Sequence, residues 1–163
     1  MPWIENISKK DAEKAYHFDP GPNSMLICIN DPGSEPIVPK FPFSIVQFFE
    51  FLDVEDTDAT WCPEEAMISN TQAQELVHLL DHALRHHMNV IVHCHAGICR
   101  SGAVVEVATI MGFTDTEKWR SPNLRVKHKM MQVLGHVFDP NELHRMKPEH
   151  MDYLDPRGEI GNV

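Results

Sequence analysis

Apolar positions along this chain fall into blocks whose period changes from one block to the next. Residues 24–29 (Ser-Met-Leu-Ile-Cys-Ile) form an almost unbroken apolar run of strand length and predict a buried strand. The run stops at Asn30-Asp31-Pro32-Gly33, a cluster of turn formers. Pro32, Pro36, Pro39 and Pro42 predict an irregular connection. Residues 44–52, rich in Phe and Ile, predict a second strand running into an acidic loop around 53–65. From Ser69 or Asn70, either able to cap a helix, Leu76, Leu79, Leu80, Ala83 and Leu84 fall on one helical face, and the helix is predicted to reach about His87. A further apolar strand, 90–92, ends in His93-Cys94. After a short loop the apolar run 103–111 predicts a helix that Gly112 is placed to end. Pro122-Asn123 opens another helix over 124–134, and residues from about 148 read as a loose tail.

Strands alternating with helices predict the α/β class: a single compact domain, 1–163, with a central, mostly parallel sheet covered by helices on both sides. Ligands in such folds sit at the carboxyl ends of the strands, which is where the loop after Cys94 falls.

Length and charge narrow the function. A chain of 163 residues is large enough for a real core. Its apolar stretches are far shorter than a membrane span and none has a signal-peptide pattern, so no membrane association and a cytoplasmic location are expected. The net charge of −10 argues against nucleic acid as a partner. Cys28, Cys62, Cys94 and Cys99 lack metal-finger spacing and are expected to be thiols in a reducing compartment, with no metal and no cofactor. His78, His82 and His86 lie four residues apart, a spacing compatible with metal. No zinc-protease Glu accompanies them, so a hydrated helix edge is expected. The charges are uneven: residues 53–65 are acidic, while 118–147 carry Lys118, Arg120, Arg125, Lys127, Lys129, Arg145 and Lys147. Two solvated faces are the plain expectation. The alternative is that the basic segment recruits an acidic phosphosubstrate.

The candidate chemistry lies in residues 90–102. A strand, a tight loop and a helix follow one another, with the Cys94 thiol at the start of the loop and the Arg100 guanidinium at its end. Unpaired N–H groups and the positive end of the dipole at a helix N-terminus suit a phosphate. Arg100 offers a planar fork for two phosphate oxygens. Gly97 lets the backbone curl around the anion. The same field favours the thiolate of Cys94, which makes it a nucleophile. Ser101 can donate to the sulfur and ease its departure. The loop residues His95, Ala96, Gly97, Ile98 and Cys99, with Arg100, are the expected substrate-binding set.

His93-Cys94-x5-Arg100-Ser101 resembles the signature of the cysteine-based tyrosine and dual-specificity protein phosphatases. Further likenesses are to a small bacterial or phage-type branch: an early strand ending in Asp31-Pro32, a Phe-rich strand leading to an acidic loop, and Pro122-Asn123 after the signature helix. The resemblance implies a phosphatase-like fold with the phosphate-binding loop between a central strand and a helix. It implies a monomeric, metal-independent enzyme acting on phosphotyrosine, and on phosphoserine or phosphothreonine as a further class, in proteins or small phosphomonoesters. In the family an Asp on a separate loop serves as general acid and then as base. Asp53, Asp56 and Asp58 are the candidates, and Asp53 is favoured because it directly follows the apolar strand, as the acid does in the relatives.

Cys94-x4-Cys99-Arg100-Ser101 is also similar to the loop of the low-molecular-weight tyrosine phosphatases. Their Asp-Pro acid lies near the C-terminus, and this chain has Asp139-Pro140 and Asp155-Pro156. Their nucleophile, however, lies near the N-terminus. Those relatives suggest that Cys99 resolves oxidised Cys94 as a disulfide. His93 is expected to orient the loop and tune the thiolate. Two other classes stand as alternatives: a catalytically weak phosphate- or phosphopeptide-binding module lacking a competent acid, and a dithiol redox protein, which leaves Arg100-Ser101 unexplained.

Overall fold

The computed structural model describes residues 1–14, 19–55 and 62–135. In chain order the elements are β1 (Trp3–Ser8), α1 (Lys9–Glu13), β2 (Ser24–Asn30), β3 (Ile45–Glu50), a 3-10 turn (Glu64–Ala66), α2 (Asn70–Arg85), β4 (Asn89–Cys94), α3 (Arg100–Met111), β5 (Thr114–Asp115) and α4 (Leu124–Val133). The sheet runs β3-β2-β4-β1-β5, and every pairing is parallel. This is the α/β architecture expected, with β4 in the central position. The strand at 24–30 has all seven residues buried, as its unbroken apolar run requires.

Both faces of the sheet are covered, unequally. The larger core packs Ile4, Met25, Ile27, Val90 and Val92 of the strands against Leu76 and Leu80 of α2, Val104 and Val107 of α3 and Met130 of α4. A smaller core on the other face joins Ile7, Leu26, Cys28 and Ile91 to Ala12 of α1 and Ile37 of the proline-rich connection. The alternation of β4 puts Cys94 on the side of the larger core with Val90 and Val92.

The termini of the helices follow their side chains. Ser69 and Gln72 form a reciprocal capping box at the start of α2, and the Gln72 amide also donates to the Glu50 carbonyl at 3.0 Å. Gly112 ends α3 with φ 131°, a conformation that favours glycine. Asn123 caps α4 by accepting from the Val126 N–H. Helix α2 ends at Arg85, slightly before His87, and α3 begins at Arg100, ahead of its apolar run. Two strands carried no recognisable pattern in the sequence, β1 and the two-residue β5. β1 lies between β4 and β5 and pairs with β4 from Ile4 opposite Val90 to Ser8 opposite Cys94.

Candidate active site

The loop 95–99 leaves the carboxyl end of β4 and enters α3 directly. Gly97 takes φ 76° there, and a Cβ on it would strike the Ile7 and Ser8 backbone of β1. Only glycine can occupy that position. The neighbours of the loop then fix which way its peptides face. The His95 carbonyl accepts from the Lys9 N–H (3.1 Å) and the Ile98 carbonyl from the Ser121 N–H (3.2 Å). The Gly97 carbonyl accepts from Asn6 Nδ2 at 2.7 Å. The Cys99 carbonyl accepts from the N–H groups of Ala103 and Asn123, both at 2.9 Å. Four carbonyls are thus engaged by neighbouring segments. With those four oxygens engaged elsewhere, the loop can offer backbone N–H groups to an anion.

Cys94 is buried at the base of this loop. Its Sγ accepts from the Gly97 N–H at 3.3 Å and lies 3.2 Å from Ser101 Oγ, on the first turn of α3. Arg100, itself buried, is anchored through Nη1, which donates to Asp31 Oδ1 at 2.7 Å and to the Phe51 carbonyl at 2.8 Å. Its Nε is buried with no hydrogen-bond partner among the described residues. A buried guanidinium held on one side, with a buried donor unsatisfied, is built to receive an anion.

Cys94, Arg100, Asp31, Leu52, Asp53, Val54, His95, Ala96 and Cys99 line one cleft of about 300 Å³. Asp53 therefore stands with the loop, on the segment just past β3. Asn123 Nδ2 donates to Asp53 Oδ1 at 2.7 Å, and the Leu124 N–H donates to Glu55 Oε2 at 3.0 Å, so the start of α4 fastens the acidic segment. Asp56 and Asp58 lie outside the described residues, as do Asp139-Pro140 and Asp155-Pro156. Of the other expected substrate-binding residues, Gly97 and Ile98 do not line the cleft. Gly97 contributes its N–H to the sulfur, and both give their carbonyls to the frame.

Residues 62–113 match a family model described as Tc-R-P, "Polymorphic toxin system, DSP-PTPase phosphatase". The likeness is to the dual-specificity, tyrosine-phosphatase-like superfamily. The match spans α2, β4, the loop and α3, and stops short of both Asp53 and Asn123. No curated protein matches the chain at a significant level. A phosphatase domain implies phosphorylated substrates.

Other residues around this phosphatase-like loop have definite places. Burial pushes the His93 imidazole below its usual value, and the nearby positive charges of Lys9 and Arg100 push it the same way, outweighing the bond to the Cys94 carbonyl. His93 Nδ1 donates to that carbonyl at 3.3 Å, so the ring bears on the backbone of the nucleophile candidate rather than on its sulfur. Cys99 is pushed up to about 12 by burial and then by the negative charge of Asp53. It stays a thiol at neutral pH, and a further contribution comes from its hydrogen bond to Asp53. Cys94 and Cys99 are both free thiols.

The basic segment is not one solvated face. Arg120 is fully buried, held by Glu106 and Asp115, and Lys127 is also buried. Their burial withdraws both from any recruiting surface, and Arg145 and Lys147 lie outside the described residues. The histidines of α2 are exposed, with the His82 and His86 rings stacked at 4.1 Å. Among the described residues no group of three or more His, Cys, Asp or Glu could hold a metal ion, and no helix is long and apolar enough to cross a membrane.

Three residues at this site escaped the sequence reading in their roles: Asn6, Asp31 and Asn123. Asp31 and Asn123 stood in noted motifs, but a turn former and a helix cap carry no signal of the partner they meet across the fold. Asn6 sat in a strand that went unrecognised.

Proposed function

We propose that this chain is a metal-independent phosphoprotein phosphatase that hydrolyses phosphotyrosine, and phosphoserine or phosphothreonine as a further class, through a cysteinyl-phosphate intermediate. One observation carries the reading. The Cys94 thiol, the Arg100 guanidinium with its unsatisfied buried Nε and the Asp53 carboxyl line a single small cleft, beside a loop four of whose carbonyls are engaged by neighbouring segments.

In this mechanism the loop N–H groups and Arg100 hold the phosphoryl oxygens, and they bind them more strongly as charge develops. The Cys94 thiolate attacks phosphorus in line with the ester oxygen. The S–P bond forms as the P–O bond breaks, and protonated Asp53 gives its proton to the departing oxygen. Water then attacks the thiophosphate. Asp53, now a carboxylate, takes the proton from that water. The electron pair of the S–P bond returns to Cys94, where the Ser101 hydroxyl at 3.2 Å donates to the leaving sulfur.

The test is hydrolysis of a phosphotyrosine peptide with chelator and reductant present. Wild type should turn over and Cys94→Ser should be inactive. Asp53→Asn should lose about 10²–10⁴-fold, the range of a general acid. Activity that survives in Cys94→Ser, or that needs an added metal, would overturn the reading. So would an inert wild type whose thiol is shown to be reduced.

A further inference from the structure

Asn123 sits where three parts of the proposed machinery meet. It is 1 % exposed and stands at the N-terminus of α4. Its backbone N–H donates to the Cys99 carbonyl of the loop at 2.9 Å, and its carbonyl accepts from Lys127 at 3.1 Å. Its side-chain Oδ1 accepts from the Val126 N–H at 3.0 Å. Its Nδ2 donates to Asp53 Oδ1 at 2.7 Å and lies 3.4 Å from the Val54 carbonyl.

These contacts settle the orientation of the amide. An Asn side chain can often be turned over with no change in fit. Here a backbone N–H faces one end and can only donate, so that end must be oxygen. The other end must then be the NH₂ group, and it faces an oxygen of Asp53 and a carbonyl, both acceptors. The amide has one satisfactory placement, and in that placement it presents a donor to Asp53.

A donor on Oδ1 ties that oxygen to the start of α4 whether or not the carboxyl carries a proton, since a carboxylic acid keeps acceptor lone pairs on both oxygens. From these contacts we infer that Asn123 is a positioning residue for Asp53: it holds the carboxyl in one orientation against the nucleophile loop. The inference rests on the reading of Asp53 as the general acid. The neighbouring anchors act in the same sense. The Leu124 N–H holds Glu55, and the Cys99 thiol meets Asp53 from the loop side. Asp53 is itself exposed, so without these anchors little packing would keep its side chain in one rotamer.

A leaving-group comparison tests this. p-Nitrophenyl phosphate needs little protonation as it departs, whereas phenyl phosphate needs it fully. Asn123→Ser retains a hydroxyl able to cap α4 but cannot reach Asp53. Asn123→Asp retains the capping oxygen and replaces the donor with an acceptor. In both variants kcat/KM for phenyl phosphate should fall about tenfold or more beyond any fall for p-nitrophenyl phosphate, a fraction of what a general acid contributes. Asp53→Asn should show a larger split, and Asn123→Ser added to it should widen the split no further, because the two residues act as one unit.

Equal losses on both substrates in the Asn123 variants, with Asp53→Asn still splitting them, would make Asn123 a helix cap alone and overturn the inference. No split in Asp53→Asn would remove the acid assignment itself, and the inference with it. If Asn123→Ser does not fold, Asn123→Asp carries the comparison unaided, with vanadate binding as the check that its loop is formed.

Discussion

His93 shows how one buried side chain can set a condition on the whole fold. Above the usual histidine value of 6.5 the imidazole is neutral in folded and unfolded chains alike, and contributes no pH dependence. Below it the unfolded chain takes a proton that the folded chain resists, because burial disfavours the cation and Lys9 and Arg100 repel it. The unfolded state then binds more protons, so stability falls as the pH drops. The slope approaches about 1.4 kcal/mol per pH unit for one proton. His128, lowered by burial and then by Lys129 and Arg125, adds in the same direction. Denaturant titrations from pH 7 to 5 should show this decline, and His93→Gln should flatten it. An equal decline in His93→Gln would show that other groups carry it. In the sequence His93 was legible as a neighbour of the nucleophile candidate. Its burial and the charges facing it were not, since both come from elements remote in the chain. The same holds for Asp31, whose partner Arg100 is brought to it only when β2 and β4 pair.

At the scale of elements, the support of the loop depends on a segment that looked like a basic surface. Arg120 donates through Nε to Glu106 Oε1 at 2.8 Å and through Nη1 and Nη2 to both oxygens of Asp115, at 3.0 and 2.9 Å. Burial alone would lower its pKa, but Asp115 and Glu106 raise it further than burial lowers it, so the guanidinium stays charged. This network joins α3 to the segment whose Trp119 carbonyl and Ser121 N–H meet β1 and the loop. Removing the cation leaves buried Glu106 and largely buried Asp115 without the charge they share, so Arg120→Gln should cost about 3–5 kcal/mol in denaturant unfolding. Arg85→Ala, which breaks an exposed pair with Asp81 on α2, should cost under about 1 kcal/mol. Similar costs for the two would contradict a structural role for the network. The helices α2, α3 and α4 were legible because their apolar period and caps are local. β1 was not. Trp3-Ile4-Glu5-Asn6-Ile7-Ser8 mixes polar and apolar positions without a clean period, and it is buried because strands flank it on both sides and helices cover it.

At the scale of the molecule, a parallel sheet brings the ends of β1, β2, β3 and β4 to one edge, where Ser8, Asn30, Glu50 and Cys94 lead into the loops around the cleft. That arrangement follows from alternating strands and helices and was legible before any coordinate. Among three aspartates Asp53 was favoured for its place after the strand; its contact with Asn123 and its place in the cleft are tertiary and were not legible, and Asp56 and Asp58 lie outside the described residues. The central claim is that phosphate passes through the sulfur of Cys94. The most direct measurement is rapid quenching of wild type and Cys94→Ser during turnover of a radiolabelled phosphopeptide, followed by peptide mapping. The account predicts label on the peptide bearing Cys94 in wild type, released by mild acid as an S–P bond is, and none in the variant. Turnover without protein-bound label, or label on another residue, would contradict it.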